Sequence, residues 1–333
     1  MRSRWIAGFA AAVGLLGAEY DWKLPKGFPP PPVPATNPIS TEQVELGRRL
    51  FYDKRLSVNG KESCATCHRQ ELAFTDGRAR AQGTTGELHP RSSMSLVNVA
   101  YVDRLTWANP SLSALEEQAV LPMFGTVPIE LGLKGREEQF LEALNRDPAY
   151  HGQVLTLETV TKALAAFERS IVSMRSPYDR YRWADEPSAI SDAAKRGELL
   201  FFSSERAGCF QCHSGWNFSS GKGFFVTGAT SYAAPNRGLY EITKRDEDIG
   251  KFRAPSLRNI AVTAPYMHDG SYATLEDVLD HYAKGGKFES VNKSRELRPF
   301  RMTGTDRADL VEFLKSLTDE KLLHDPRWSD PWK

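Results

Sequence analysis

The sequence predicts a mainly α-helical chain with long loops and little strand, built as two tandem units of similar plan. Three observations predict it: the matching motifs Cys64-Ala65-Thr66-Cys67-His68 and Cys209-Phe210-Gln211-Cys212-His213, a set of residues repeated around each motif, and apolar residues at helical spacing between them. The chain has 333 residues, enough to bury two cores without disulfides. Its 43 Lys+Arg and 42 Asp+Glu leave a net charge of +1, which gives no basic footprint for nucleic acid.

From the N-terminus, Met1-Arg2-Ser3-Arg4, the apolar run Trp5 to Ala18 and the small residues before Glu19 read as a secretory signal peptide over residues 1–18. The run is shorter than the roughly 20 residues that cross a bilayer, and no later window is a span, so the mature chain is expected to be exported without a membrane segment. Residues 19–35, with Pro29-Pro30-Pro31-Pro32, form a Pro-rich tether. Residues 36–178 are the first unit and 179–333 the second.

The repeat sets that division. Gly47-Arg48-Arg49-Leu50-Phe51-Tyr52 precedes the first motif and Gly197-Glu198-Leu199-Leu200-Phe201-Phe202 the second. Ser95-Leu96-Val97-Asn98 returns as Ser256-Leu257-Arg258-Asn259, and Ala114-Leu115-Glu116-Glu117 as Thr274-Leu275-Glu276-Asp277. Ser40 with Gln43 makes a capping box for a helix bearing Leu46, Leu50 and Phe51 on one face. Val160 to Met174 is a second amphipathic helix, ended by Ser176-Pro177, and residues 176–191 are the inter-unit boundary. Gly/Pro/aromatic loops fill 215–240, and a last helix runs from about Asp306 to Leu317.

The four cysteines, all spent on the two motifs, decide the cofactor. In an exported chain they could pair as disulfides, bind zinc or act as a redox couple. A four-cysteine zinc site leaves His68 and His213 without a reason, and a thioredoxin-like pair lacks its βαβ setting. Cys-x-x-Cys-His meets another need: two thiols bond to the haem vinyl groups and the next histidine ligates the iron. Two c-type haems follow, on Cys64, Cys67 and His68 and on Cys209, Cys212 and His213, and the units become tandem cytochrome c-like haem domains.

The repeat also compares the far sides of the two haems. Seven residues after Leu115 is Pro122, and seven after Leu275 is Tyr282. A phenolate binds ferric iron, whereas proline offers no donor atom, so the first haem is expected open and the second closed. On spacing alone His281, Met267 and His268 compete with Tyr282, which is also an ordinary packing residue for an amphipathic helix. Near the open haem, Gln118 lies one turn before Pro122. Glu130 is the candidate general acid/base for moving a proton between the peroxide oxygens, against the default of a solvated loop glutamate. Trp107 is a candidate electron relay between the haems, against that of a core tryptophan.

The order Cys-x-x-Cys-His, Ser-Leu-x-Asn, Trp, Leu-Glu-Glu-Gln-Ala, Glu, a second Cys-x-x-Cys-His, then Thr263-Ala264-Pro265-Tyr266-Met267-His268-Asp269-Gly270-Ser271 resembles the bacterial dihaem cytochrome c peroxidase/MauG superfamily over residues 36–320. The resemblance implies a periplasmic, haem-dependent peroxidase-type oxidoreductase. Tyrosine rather than methionine at 282 is similar to the MauG-type members, and Tyr20 to Pro29 with Pro122-Met123-Phe124-Gly125 is similar to the MbnH branch associated with methanobactin operons. It implies use of hydrogen peroxide to form a bis-Fe(IV)-type state and oxidation of a partner protein, MbnP-like, at tryptophan. The alternatives are a cytochrome c peroxidase fed by a small c-type cytochrome and a non-catalytic dihaem electron carrier.

By the same resemblance Trp107 is the inter-haem tryptophan, and Gln118, Pro122 and Glu130 are the distal pocket. The carbonyls of Thr263 and Pro265 are calcium ligands, and Ser92 stands where the family carries a calcium-binding asparagine. His268 and Trp216 support the haems from behind the ligands. His89 stands too far from His68 to be the ligand that closes the first haem in resting peroxidases, and reads as a supporting loop residue. Ala207 replaces a surface-route tryptophan, for which Trp216 is an alternative.

Overall fold

The computed structural model describes residues 20–220, 223–233 and 235–333; the signal peptide expected at 1–18 lies outside the described residues. Four helices carry the first unit: α1 (Thr41–Tyr52), α2 (Cys64–Cys67), α3 (Leu115–Phe124) and α4 (Glu137–Asn145). A fifth, α5 (Leu157–Ser170), packs on α1 and α3. Then come α6 (Pro177–Trp183), α7 (Asp192–Phe201), α8 (Tyr240–Thr243), α9 (Leu275–Ala283) and α10 (Gly304–Lys315), with α10 packed on α7. The strands β1 (Phe224–Phe225) and β2 (Phe252–Arg253) pair antiparallel. The fold is mainly helical, as expected. No helix of the described residues is long and apolar enough to cross a membrane.

The repeat is built into the packing. A Cβ on Gly47 would stand 1.9 Å from the Ala163 carbonyl oxygen, and one on Gly197 2.0 Å from that of Asp309, so each helix pair crosses at a point only glycine allows. Phe167 and Phe313 lie beside those crossings, and Ser170 and Ser316 each donate 2.6 Å back to the phenylalanine carbonyl. The repeated asparagines both take left-handed backbone, Asn98 at φ 58 and Asn259 at φ 60. They meet at Ser173, Asn98 Nδ2 donating to its carbonyl at 3.0 Å and Asn259 Nδ2 to its hydroxyl at 3.1 Å.

Apolar burial forms one cluster from Val44 to Ile171 and another from Tyr178 to Leu317. Leu322, Leu323 and Trp328 belong to the first cluster, so the chain's last turns return to seal the unit it started with. Trp328 Nε1 donates to the Ser170 carbonyl at 3.1 Å.

Several local expectations shift. Ser40 caps α1 through the Gln43 amide at 3.2 Å, but the Gln43 side chain donates to Asn37 Oδ1 at 2.6 Å instead of closing the box. The helix expected over Val160–Met174 starts at Leu157, where a Thr156/Thr159 box caps it, and stops at Ser170; Ile171 and Met174 are buried beyond its end. Ser176-Pro177 opens α6, proline at the first position being preorganised for a helix start. The segment expected as a tether lies along both units: Pro29 O accepts from Tyr101 at 2.7 Å and Lys23 O from the Arg175 guanidinium in the first, and Phe28 packs edge-on against Trp183 in the second.

Candidate functional site

Each attachment motif is a short helical turn that presents its histidine at the end. Ser63 and Thr66 cap α2, and His68 follows. Its Nδ1 lies 2.9 Å from the Phe74 carbonyl, which can only accept, so Nδ1 carries the proton and Nε2 keeps a free lone pair. His213 repeats this: Nδ1 lies 3.2 Å from Phe218 O and 3.0 Å from Pro255 O. Burial lowers the pKa of both imidazoles and keeps them neutral, the form that binds a metal.

No disulfide joins any two of the four cysteines. Burial pushes the thiols of Cys67, Cys209 and Cys212 up to about 12 and that of Cys64 up as well, which suits neither a zinc thiolate nor a reactive redox pair. Among the described residues no group of three or more His, Cys, Asp or Glu is arranged to hold a metal ion.

A haem fits these surroundings. Cys64, His68, Cys209, His213 and Tyr282 are deep enough for desolvation to dominate their titration, yet each keeps accessible surface, so they face space inside the protein. Arg253, buried between the units, has an Nε with no partner, and burial alone pushes its guanidinium down to about 10. A buried cation of that kind suits the propionates of a haem. Nothing in the sequence around Phe252-Arg253-Ala254 singled it out.

The two matched helices differ at the place of Pro122 and Tyr282. Helices α3 and α9 start at the matched leucines, which puts Pro122 and Tyr282 at the same helical position. Pro122 has no N–H to give the Gln118 carbonyl one turn earlier. After α3 the chain folds back, Leu131 N–H donating to Pro122 O at 2.9 Å and Leu133 N–H to Met123 O at 2.8 Å. This return sets Glu130, the residue before Leu131, beside Pro122 near the end of α3. Burial raises the Glu130 carboxyl pKa, and Glu130 is close enough to raise the Cys64 and Cys67 thiols in turn.

His89 Nε2 stands 3.9 Å from Glu130 Oε1. Its Nδ1 accepts from Arg91 N–H at 3.1 Å, and burial with Arg91 pushes it down to about 4, so it faces Glu130 neutral.

In the second unit, burial and then Cys212 and Cys209 raise the Tyr282 phenol pKa. His281 is spoken for at both nitrogens: Nε2 donates to Thr227 O and Nδ1 accepts from Tyr272 Oη, each at 2.9 Å. His268 is stacked on Phe252, ring centroids 3.6 Å apart, away from α9. The seam between units runs past it. Trp107 donates from Nε1 to Ser92 O at 2.9 Å and accepts at its carbonyl from Arg253 N–H at 2.9 Å, its ring 6.3 Å from that of His268.

Ser92 bonds to the stretch just past Pro265, its N–H to His268 O at 2.8 Å and its hydroxyl to Met267 O at 3.1 Å. With the Ser92 hydroxyl engaged, and no group of three or more His, Cys, Asp or Glu among the described residues arranged to hold a metal ion, the expected calcium position has only neutral oxygens to offer, the Thr263 and Pro265 carbonyls among them, and suits a weak site rather than a tight one.

Residues 41–187 match the family model of di-haem cytochrome c peroxidases. The chain is 38% identical over 298 residues to the methylamine utilization protein MauG of Methylorubrum extorquens, covering 87% of this chain and 82% of that one. It is 34% identical over 337 residues to the cytochrome-c peroxidase IdrP1 of a Pseudomonas species, covering 90% and 86%. A crystal structure of a MauG-like protein associated with microbial copper homeostasis superposes with a TM-score of 0.89 at 42% identity, covering 94% of this chain and all of the other.

Proposed function

Given that the chain belongs to the di-haem cytochrome c peroxidase/MauG family of haem-dependent oxidoreductases, we propose that it is a MauG-type oxidase, which uses hydrogen peroxide to oxidise a partner protein outside the cytoplasm. The observation that carries this reading is Tyr282: a deep phenol on α9 where the first unit has Pro122, beside a histidine committed at both nitrogens.

Two c-type haems, when bound, supply peroxide activation at one iron and storage of oxidising equivalents at the other. The chain's own residues do the rest. His68 and His213 are held in the ligating tautomer by backbone carbonyls. Pro122 leaves its side without a donor atom, and Tyr282 fills the corresponding place with a phenol oxygen. Glu130 takes the proton of incoming peroxide and returns it to the departing oxygen, with Gln118 beside it on α3. Trp107, bonded to both units, links them. The MbnH-like stretches Tyr20 to Pro29 and Pro122-Met123-Phe124-Gly125, together with a MauG-like neighbour associated with microbial copper homeostasis, support a partner of the MbnP kind oxidised at tryptophan. The apolar run before residue 19 supports export to the periplasm.

The test is Tyr282→Met in the diferric holoenzyme. The proposal expects a changed spectrum and loss of partner oxidation, with the first equivalent of peroxide still consumed. An unchanged spectrum and unchanged partner oxidation would overturn it, and steady turnover of the wild type with a small c-type cytochrome alone would favour the peroxidase reading.

A further inference from the structure

The residue three places after His213 is Trp216, and its ring begins a ladder absent from the first unit, where the corresponding residue is Glu71, exposed and paired with Arg69. Trp216 packs edge-on against Tyr101 at 4.7 Å and against Phe28 at 6.0 Å. On its other side Phe28 packs edge-on against Trp183 at 5.9 Å, so one ring separates the two indoles. Trp216 is half-buried, while Trp183, the last residue of α6, is 57% exposed. Phe28 belongs to the segment laid over both units, and Tyr101 Oη holds that segment by donating to Pro29 O at 2.7 Å.

The electrostatics suit an indole that gives up an electron. The Arg258 guanidinium lies 5.3 Å from the Trp216 ring, and a lone cation there would oppose oxidation. Its charge is cancelled by a bidentate pair with buried Asp179 at 2.8 and 2.9 Å.

We propose that Trp183 is the surface port, and Trp216 the inner station, through which electrons reach the second haem unit from a docked protein too large to approach either cofactor. This deepens the proposed function and rests on it. Hydrogen peroxide takes two electrons and two protons and leaves as two waters; the partner side chain supplies both electrons by way of Trp183 and Trp216 and releases its protons to water. With no partner present the electrons come from Trp183 itself, which loses two, gains an oxygen atom from water and releases two protons.

The experiment adds one equivalent of hydrogen peroxide to the diferric holoenzyme alone and maps oxidised side chains by peptide mass analysis. Trp332, 44% exposed and outside the ladder, reports attack by free peroxide. Oxidation at Trp183 and not at Trp332, falling about tenfold or more in Trp216→Phe and also reduced in Phe28→Leu, is the expected result. Equal oxidation of Trp183 and Trp332, or no change at Trp183 in Trp216→Phe, overturns the proposal. With the partner added, Trp183→Phe slows partner oxidation about tenfold while the first peroxide equivalent is consumed at the wild-type rate. If the wild type oxidises no partner, the proposed function fails, and the self-oxidation map still decides the ladder.

Discussion

The two units use the same parts for the frame and different parts for the chemistry. Gly47 and Gly197 let their helices cross at backbone contact, Asn98 and Asn259 turn left-handed and meet at Ser173, and His68 and His213 bond to carbonyls five or six residues on. The differences gather where a cofactor would sit. Pro122 corresponds to Tyr282, Glu71 to Trp216, and Glu168, following the aligned Phe167 and Phe313, falls where the second unit has Leu314. Duplication preserved the packing that places an iron ligand and released the positions that decide what the iron does.

The largest effect is expected where the units differ most in chemistry. Glu130→Gln keeps the shape of the side chain and removes the carboxylate, and the rate of reaction with hydrogen peroxide in stopped-flow should fall by about 10²–10⁴. A loss of less than about twofold would mean that the return loop after α3 carries no acid/base role.

Where the units agree, equal damage is expected. Gly47→Ala and Gly197→Ala each push a methyl group into a carbonyl oxygen about 2 Å away, and each should cost about 3 kcal/mol in chemical denaturation, the upper end for overpacking. A twofold disparity would break the equivalence of the two crossings.

Glu168 sharpens the comparison through pH. It is buried with Oε2 unpartnered, and burial, only partly offset by Arg169, pushes its carboxyl from 4.5 up to about 8. A carboxyl raised on folding favours the folded state fully below its unfolded pKa, and that contribution is lost as pH rises to about 8. Wild-type stability should therefore drop between pH 5 and 8 by up to a few kcal/mol. Glu168→Leu, the second unit's own residue, should flatten the profile, as followed by denaturant midpoints at the two pH values.

The smallest effect concerns α9 and α3. Thr274 caps α9 by accepting from Asp277 N–H at 3.1 Å, whereas Ala114 gives α3 no side-chain cap. Thr274→Ala should cost about 1 kcal/mol, and Ala114→Ser should recover part of that for α3.

What is local or repeated is legible in the sequence. Cys-x-x-Cys-His names its chemistry in five residues, and counting along the repeat is enough to align Pro122 with Tyr282. Gly47 and Gly197 are visible as an echo, but the helix crossing that demands them is a long-range contact. The same holds for His281, whose disqualifying partners Thr227 and Tyr272 lie outside its own helical turn, and for Arg253, which meets Met94 and Trp107 of the other unit. The return of Leu322, Leu323 and Trp328 to the first core, and the seating of Phe28 between Trp183 and Trp216, depend on where the chain ends are laid. No periodicity encodes that.

The inequality of the two distal positions is tested most directly by titrating the diferric holoenzyme with cyanide and counting the ligands bound per chain from the optical spectrum. One cyanide per chain in the wild type and two in Tyr282→Phe is the expected result; two in the wild type, or none, would contradict it.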